Sequence, residues 1–375
     1  MQKKIKRIRI AIAVLILEFL ILPGVVTIFT LEYDTSIKTV IMPSSSSSAA
    51  FGPSNEILYV SSLYKDEVYA YNSSTLKLQS TLSTNGMVGY QFGTGELYDP
   101  VNSLLYVAGL GVNMSGITVI NTRNNSIAGV IDFGENNFTE SMVLGNAGRL
   151  FVSEGNYITE INGTHIVANY STGTMYNDAI LYAFNGASNT SYLDYDFQNE
   201  MISANDLQHL NGSDVRYGQR FGYPTYLKFD QRGKELLLAT TSELYAINPY
   251  NITEVLFKIN LGNTADGVSA TMYSNSTGIL YVATYGSQAI FLYNGTTARY
   301  IGSMRQTDSY NTVTAIIQLN NQRMMASVGN WLILENIQPS NLTPNFAALE
   351  AALAVSAGVV GPASVIVFLW LRRSA

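Results

Sequence analysis

Acid, base and metal chemistry would rest on very few residues in this chain. There are two His, His165 and His209, and no Cys. Both His stand in turn-rich stretches, where a histidine can hold a metal, move a proton or simply occupy a loop. Without Cys there is no disulfide, no thiolate metal centre and no redox pair. No zinc signature, P-loop, serine elbow or dinucleotide fingerprint is present, so no cofactor is implied. Carboxylates gather in one stretch as Asp178, Asp194, Asp196 and Asp206. In an extended strand Asp194 and Asp196 share one face, as a hard cation such as Ca²⁺ requires; a solvated strand face is the other reading. The stretch lacks the Gly and terminal Glu of a helix-loop-helix calcium site. Asp99-Pro100 and Asp230-Gln231 read as turns rather than catalytic groups.

Tyrosine is the remaining resource, with 25 in the chain. Tyr64, Tyr90, Tyr176, Tyr223, Tyr285 and Tyr310 fall in predicted loops, where a flat ring with a hydroxyl suits a sugar or a protein partner. The alternative for each is packing at a rim.

These residues sit in a chain of 375, of which 47% are hydrophobic and only 13% charged, with a formal net charge of −6. That composition favours strands with large buried faces. Basic residues cluster only at the two ends, which argues against a nucleic-acid partner.

The ends read as membrane segments. Residues 1–9 carry Lys3, Lys4, Lys6, Arg7 and Arg9, and residues 10–31 form a mostly apolar run long enough to span a bilayer core of about 30 Å. The run ends in Thr27-Ile28-Phe29-Thr30-Leu31 rather than at a small-residue cleavage site, which favours an uncleaved signal anchor over a removed leader. Residues 347–371 form a second apolar run, closed by Arg372 and Arg373 in the tail 372–375. Both basic clusters belong in the cytoplasm by charge asymmetry, so the intervening chain is expected outside the cell membrane. Twelve Asn-X-Ser/Thr triplets agree with that address as glycosylation candidates: Asn72, Asn113, Asn124, Asn137, Asn162, Asn169, Asn189, Asn211, Asn251, Asn275, Asn294 and Asn341. Glu18 and Glu350 are intramembrane carboxyls at unequal depths, so they do not form a facing pair. Ala354-x-x-x-Gly358 and Ala357-x-x-x-Gly361 provide a small-residue face for a partner helix.

Between the two segments, short β-rich cores recur with a period of roughly 44 residues. They are Leu58-Tyr59-Val60, Leu105-Tyr106-Val107, Leu150-Phe151-Val152, Leu236-Leu237-Leu238, Leu280-Tyr281-Val282 and Met324-Met325-Ala326. A degenerate copy at Tyr192-Leu193-Asp194 fills the one double gap. Seven units of four strands predict an all-β, seven-bladed β-propeller over residues 36–340. The last unit offers only three strands of its own, and residues 36–42 are expected to complete it as the outer strand, closing the ring. The cores, followed by Ile-Thr-Val-Ile-Asn at 117–121 or Leu-Tyr-Ala-Ile-Asn at 244–248 and by Ile-Ala-Gly-Val-Ile at 127–131, resemble the YVTN-type repeats of prokaryotic, archaeal-type cell-surface propellers. The resemblance implies the fold and a surface setting, and it leaves the activity open.

The expected function is a membrane-anchored, extracellular, non-enzymatic module whose partners are the lipid bilayer and an envelope protein or glycan. The alternative is a propeller enzyme, lactonase-like or quinoprotein-like, with its site in the axial channel. A third reading is the outer sensing part of a membrane complex engaged through Glu18 and the small-residue face.

Overall fold

A strand that is apolar on both faces must be covered on both, and the second strands of the repeats are of this kind. Ile57–Ser62, Glu235–Thr240 and Ile279–Thr284 are buried at every position. Such strands are satisfied only when each sheet lies between two others. The computed structural model describes residues 38–337 except for the connecting segments 90–94, 112–113, 135–138, 155–156, 172–179, 186–189, 196–200, 207–215, 221–223, 231–232, 263–266, 286–288 and 306–311. The chain divides into two compact units, residues 38–335 and a second made of residues 1–37 with 336–375. Apart from Asn336 and Ile337, the second unit lies outside the described residues, and with it the expected membrane segments 10–31 and 347–371, Glu18, Glu350 and both basic tails. Among the described residues no helix is long and apolar enough to cross a membrane.

Residues 38–335 form a β-propeller of antiparallel blades: six four-stranded sheets and one of five strands. The innermost strands in chain order are Ser46–Gly52, Glu96–Asp99, Thr139–Leu144, Ile180–Asn185, Pro224–Asp230, Val268–Ser274 and Val313–Gln318. Each touches the next, and the last touches the first, so the ring is closed. The blades are numbered here in the order of these strands. In the second blade the innermost position is split: Val88–Gly89 pairs with Leu110 and Gly109 of strand Leu104–Gly111, and Glu96–Asp99 pairs with Val107 to Leu104 of the same strand. The extra strand is therefore a broken innermost strand and adds no layer.

Closure runs through the start of the chain. Strand Lys38–Ile41 pairs antiparallel with Trp331–Asn336, Lys38 facing Leu334 and Ile41 facing Trp331, and so supplies the outer strand of the seventh blade. Without it the edge of Trp331–Asn336 would offer free backbone groups to any passing strand. The described chain thus begins and ends side by side.

Alternation along each second strand divides the core between neighbours. Tyr59 packs with Tyr98, Leu105 and Val107 of the second blade, whereas Leu58 and Val60 pack with Met325 and Leu332 of the seventh. Outer strands such as Leu78–Ser83 and Val255–Asn260 each keep a single buried residue. Hydrophobicity therefore falls from the middle of each blade to its rim, which is why the repeats stand out in sequence as short isolated apolar cores. The degenerate unit follows the same plan: Tyr192 lies in strand Thr190–Tyr195, the second strand of the fourth blade, and its hydroxyl donates to Pro249 O at 2.9 Å.

Candidate functional site

Seven innermost strands around one axis leave a cavity of about 490 Å³, within the usual range of small-molecule sites. Every blade contributes to its wall, through Ser48, Glu96, Met142, Tyr182, Tyr226, Ser269 and Thr314 among others. The polar wall residues have definite partners or none. Lys228 is exposed on an innermost strand and its Nζ donates to Thr271 O at 3.0 Å. Tyr226 Oη and Thr271 Oγ1 lie 2.8 Å apart. Glu96 is 3% exposed, and its Oε2 accepts the Ser61 backbone N–H at 3.0 Å from the neighbouring blade. Burial pushes its carboxyl up to about 8, only partly opposed by its hydrogen bonds with Ser61, which favours the neutral form at pH 7.

One end of the cavity has a structural signature. Five innermost strands carry a β-bulge at their first residues, between Ser46 and Ser48, Thr139 and Ser141, Pro224 and Tyr226, Val268 and Ala270, and Val313 and Ala315. A bulge turns one extra residue out of the ladder, and here the extra residues are Ser47, Glu140, Thr225, Ser269 and Thr314. Four of the five are hydroxyl residues at one end of the ring, and we call them the collar. Around the seam, Ser46 Oγ lies 2.8 Å from Thr314 Oγ1 and donates to Gly329 O at 3.0 Å, with Ser327 Oγ joined to the same group. Ser47 Oγ lies 3.0 Å from Ser61 Oγ. Among the described residues, two buried polar atoms of the cavity wall make no hydrogen bond, Glu96 Oε1 and Ser269 Oγ. Buried polar atoms are rarely left so without a ligand or water to meet them.

At the opposite end two innermost strands finish in Asp turns. Asp99 Oδ1 accepts from Val101 N at 2.8 Å and its Oδ2 from Asn102 Nδ2 at 2.7 Å, and Asp230 Oδ1 accepts from Gly233 N at 3.3 Å. Both are the turn residues that the sequence suggests. Glu235, beside Asp230, is buried, and its carboxyl is pushed up to about 8 by burial and then by Asp230.

The sequence-derived candidates are only partly assembled by the fold. Tyr64 is 73% exposed in the turn after the second strand of the first blade, free to meet a partner. Tyr285 is not a free surface ring: it is only partly exposed, and burial pushes its hydroxyl up to about 12. Its backbone N–H bonds Gly267 O at 3.0 Å, which tucks this turn inward. Tyr90, Tyr176, Tyr223 and Tyr310 lie outside the described residues, as do Asp178, Asp196 and His209. Asp194 lies on strand Thr190–Tyr195, paired with Leu181 and Ile202. His165 opens the outer strand His165–Ser171 of the third blade, remote from the cavity wall. Among the described residues no three His, Asp or Glu side chains gather as a metal site would require.

The collar was missed in sequence, although a trace of it is visible. Val268-Ser269-Ala270 and Val313-Thr314-Ala315 repeat the same apolar–hydroxyl–small triplet one period apart. No protein-family model matches this chain, and no curated protein matches it.

Proposed function

We propose that the protein is a membrane-anchored, extracytoplasmic recognition module of the YVTN-like surface type, and that it binds through the collar end of its channel. The reading of location rests on the two apolar runs with their basic flanks, and it is supported by the side-by-side start and finish of the described unit at Lys38 and Leu334. The observation that carries the binding reading is the pair of unsatisfied buried polar atoms in the cavity wall, Glu96 Oε1 and Ser269 Oγ, in a wall that also holds the hydroxyl residues Ser48 and Thr314. Such a wall suits a hydroxylated ligand, the exposed part of an envelope glycan or a polar loop of an envelope protein. Recognition needs no group transfer, so the module is proposed as a non-enzymatic one.

The test is capture of a partner by the full-length chain solubilised from its own membranes, in parallel with Ser269→Leu, which fills the collar without removing a hydrogen bond. Native-only recovery of a glycan or protein supports the reading. Equal recovery by both chains removes the collar from it, and turnover of a small substrate by the purified protein replaces it with an enzyme.

One observation favours that second reading, a channel enzyme of lactonase-like or quinoprotein-like kind: Glu96 is a neutral carboxyl in the cavity wall, the protonation state of a general acid. It requires that Glu96→Gln abolish turnover while leaving the fold intact.

A further inference from the structure

Seven of the twelve Asn-X-Ser/Thr triplets fall among the described residues: Asn72, Asn124, Asn162, Asn169, Asn251, Asn275 and Asn294. The antiparallel order of each blade assigns every turn to one of two faces. Turns from the innermost to the second strand, and from the third to the outer strand, lie on the face where the described chain begins and ends, here the terminal face. Turns from the second to the third strand, and the links between blades, lie on the collar face.

Asn72, Asn124, Asn162, Asn251 and Asn294 stand at the third-to-outer turns of the first, second, third, fifth and sixth blades. Asn275 stands at the innermost-to-second turn of the sixth. The remaining one, Asn169, is exposed on the outer strand of the third blade. None of the seven lies on the collar face, whereas Asn113, in the second-to-third connection of the second blade, and Asn137, in the link from the second blade to the third, fall in collar-face connections outside the described residues. In the fourth blade Asn211 falls in the chain between the third and outer strands, outside the described residues. The seventh blade has no such turn, because its outer strand comes from the start of the chain.

Asn is a common turn former, and its side chain is used that way here. At Asn72 the Oδ1 accepts from Ser74 N at 3.1 Å, Thr75 N at 2.9 Å and Thr75 Oγ1 at 2.9 Å. Asn294 repeats the pattern with Thr296 N at 3.0 Å, Thr297 N at 2.9 Å and Thr297 Oγ1 at 2.9 Å. In both turns the bonded hydroxyl belongs to the third residue after Asn, so turn formation does not account for Ser74 or Thr296, the residues that complete the triplets. At Asn124 and Asn251, both exposed, the hydroxyl two residues on does bond the amide oxygen, from Ser126 and Thr253 at 2.8 Å each. In all four, Oδ1 is engaged and Nδ2 is uncommitted among the described residues.

We propose that Asn72, Asn124, Asn162, Asn251, Asn275 and Asn294 carry Asn-linked glycans, making a crown on the terminal face. The proposal rests on the extracytoplasmic reading above. The donor is a lipid-linked oligosaccharide phosphate. The Nδ2–C1 bond forms as the C1–O bond to phosphate breaks; the amide gives up one proton, and the lipid phosphate leaves with the bonding electron pair. Bulky polar chains around that face hinder docking there.

The experiment expresses the full-length chain in a host that N-glycosylates its secreted proteins, beside a variant carrying Tyr64→Asn with Asp66→Thr. That pair creates an acceptor triplet in an exposed turn of the collar face, at a side chain with no packing role. Peptide mass spectrometry before and after enzymatic deglycosylation reads each site. Modification of at least four of the six native sites supports the crown. Modification of the introduced site with the six left bare overturns the crown while leaving the location standing. No modification anywhere overturns the location and the crown together. Matching thermal midpoints of the two chains show that the introduced turn is folded.

Discussion

Replacing Glu96 by Gln should change how stability depends on pH. Glu96 is 3% exposed, bonded through Oε2 to Ser61 N, and its carboxyl is pushed up from 4.5 to about 8 by burial. In the unfolded chain it ionises near 4.5, whereas the folded protein holds its proton until pH approaches 8. Between those values the native state binds more protons than the unfolded state, so stability falls as pH rises, by about 1.4 kcal/mol per unit for one group. The contribution is fully present below pH 4.5 and lost by pH 8, some 4–5 kcal/mol in all. Gln mimics the protonated form: its Oε1 can accept from Ser61 N, and it cannot ionise. Glu154 and Glu235 are also raised, to about 7 and about 8, and titrate in the same direction in both proteins, so the difference between native and variant isolates Glu96. From pH 5.5 to 7.5 that difference should move by roughly 3 kcal/mol in favour of Glu96→Gln, or about 5 °C in midpoint for a unit of this size. Thermal and denaturant melts across this range provide the assay. A difference that stays flat with pH would show that Glu96 is solvated, and the account of the cavity wall would fail with it.

Ser46→Ala should lower stability by about 1–2 kcal/mol in a denaturant titration, since it strips hydrogen bonds from Thr314 Oγ1 and Gly329 O across the closing seam; an unchanged midpoint would mean that the seam is held by other contacts. Leu237→Ala, at a fully buried site between the fifth and sixth blades, should cost about 2–5 kcal/mol by calorimetry, and under 1 kcal/mol would place that side chain outside the core. Ser269→Leu should reduce partner capture at least tenfold while shifting the unfolding midpoint by less than about 1 kcal/mol, because Ser269 Oγ gives up no hydrogen bond. Gly267→Ala should destabilise by roughly 1–3 kcal/mol, since Gly267 sits at φ +99° against Thr225; a neutral result in a melt would show that the turn can relax.

The fold was legible because burial is so uneven along each blade. Second strands covered on both faces leave unbroken apolar cores, and the period of those cores names the architecture. The cores Leu58-Tyr59-Val60, Leu105-Tyr106-Val107 and Leu280-Tyr281-Val282 all fall inside second strands, Ile57–Ser62, Leu104–Gly111 and Ile279–Thr284. Residues 36–42 announced themselves as the missing outer strand because the last repeat was one strand short. The site was far less legible. A bulge leaves hydrophobic patterning nearly intact while re-aiming a single residue, so Ser47, Thr225, Ser269 and Thr314 look in sequence like ordinary strand polar positions. The broken innermost strand of the second blade was hidden likewise, because Val88–Gly89 is too short to carry a pattern. Of the loop tyrosines, Tyr285 takes the packing alternative: it lies in a turn that folds back over Gly267, and position in a turn says nothing about which way a ring packs.

The pairing of Lys38 with Leu334 also sets a timetable for biogenesis. During synthesis the first strand emerges early and must wait for almost the whole repeat array before its partner exists. Until then the nascent array is an open arc with two raw ends, and the most sequence-distant contact in the unit is also the last to form. Slow ring completion, and exchange of this strand between neighbouring chains at high concentration, are the kinetic liabilities built into this form of closure.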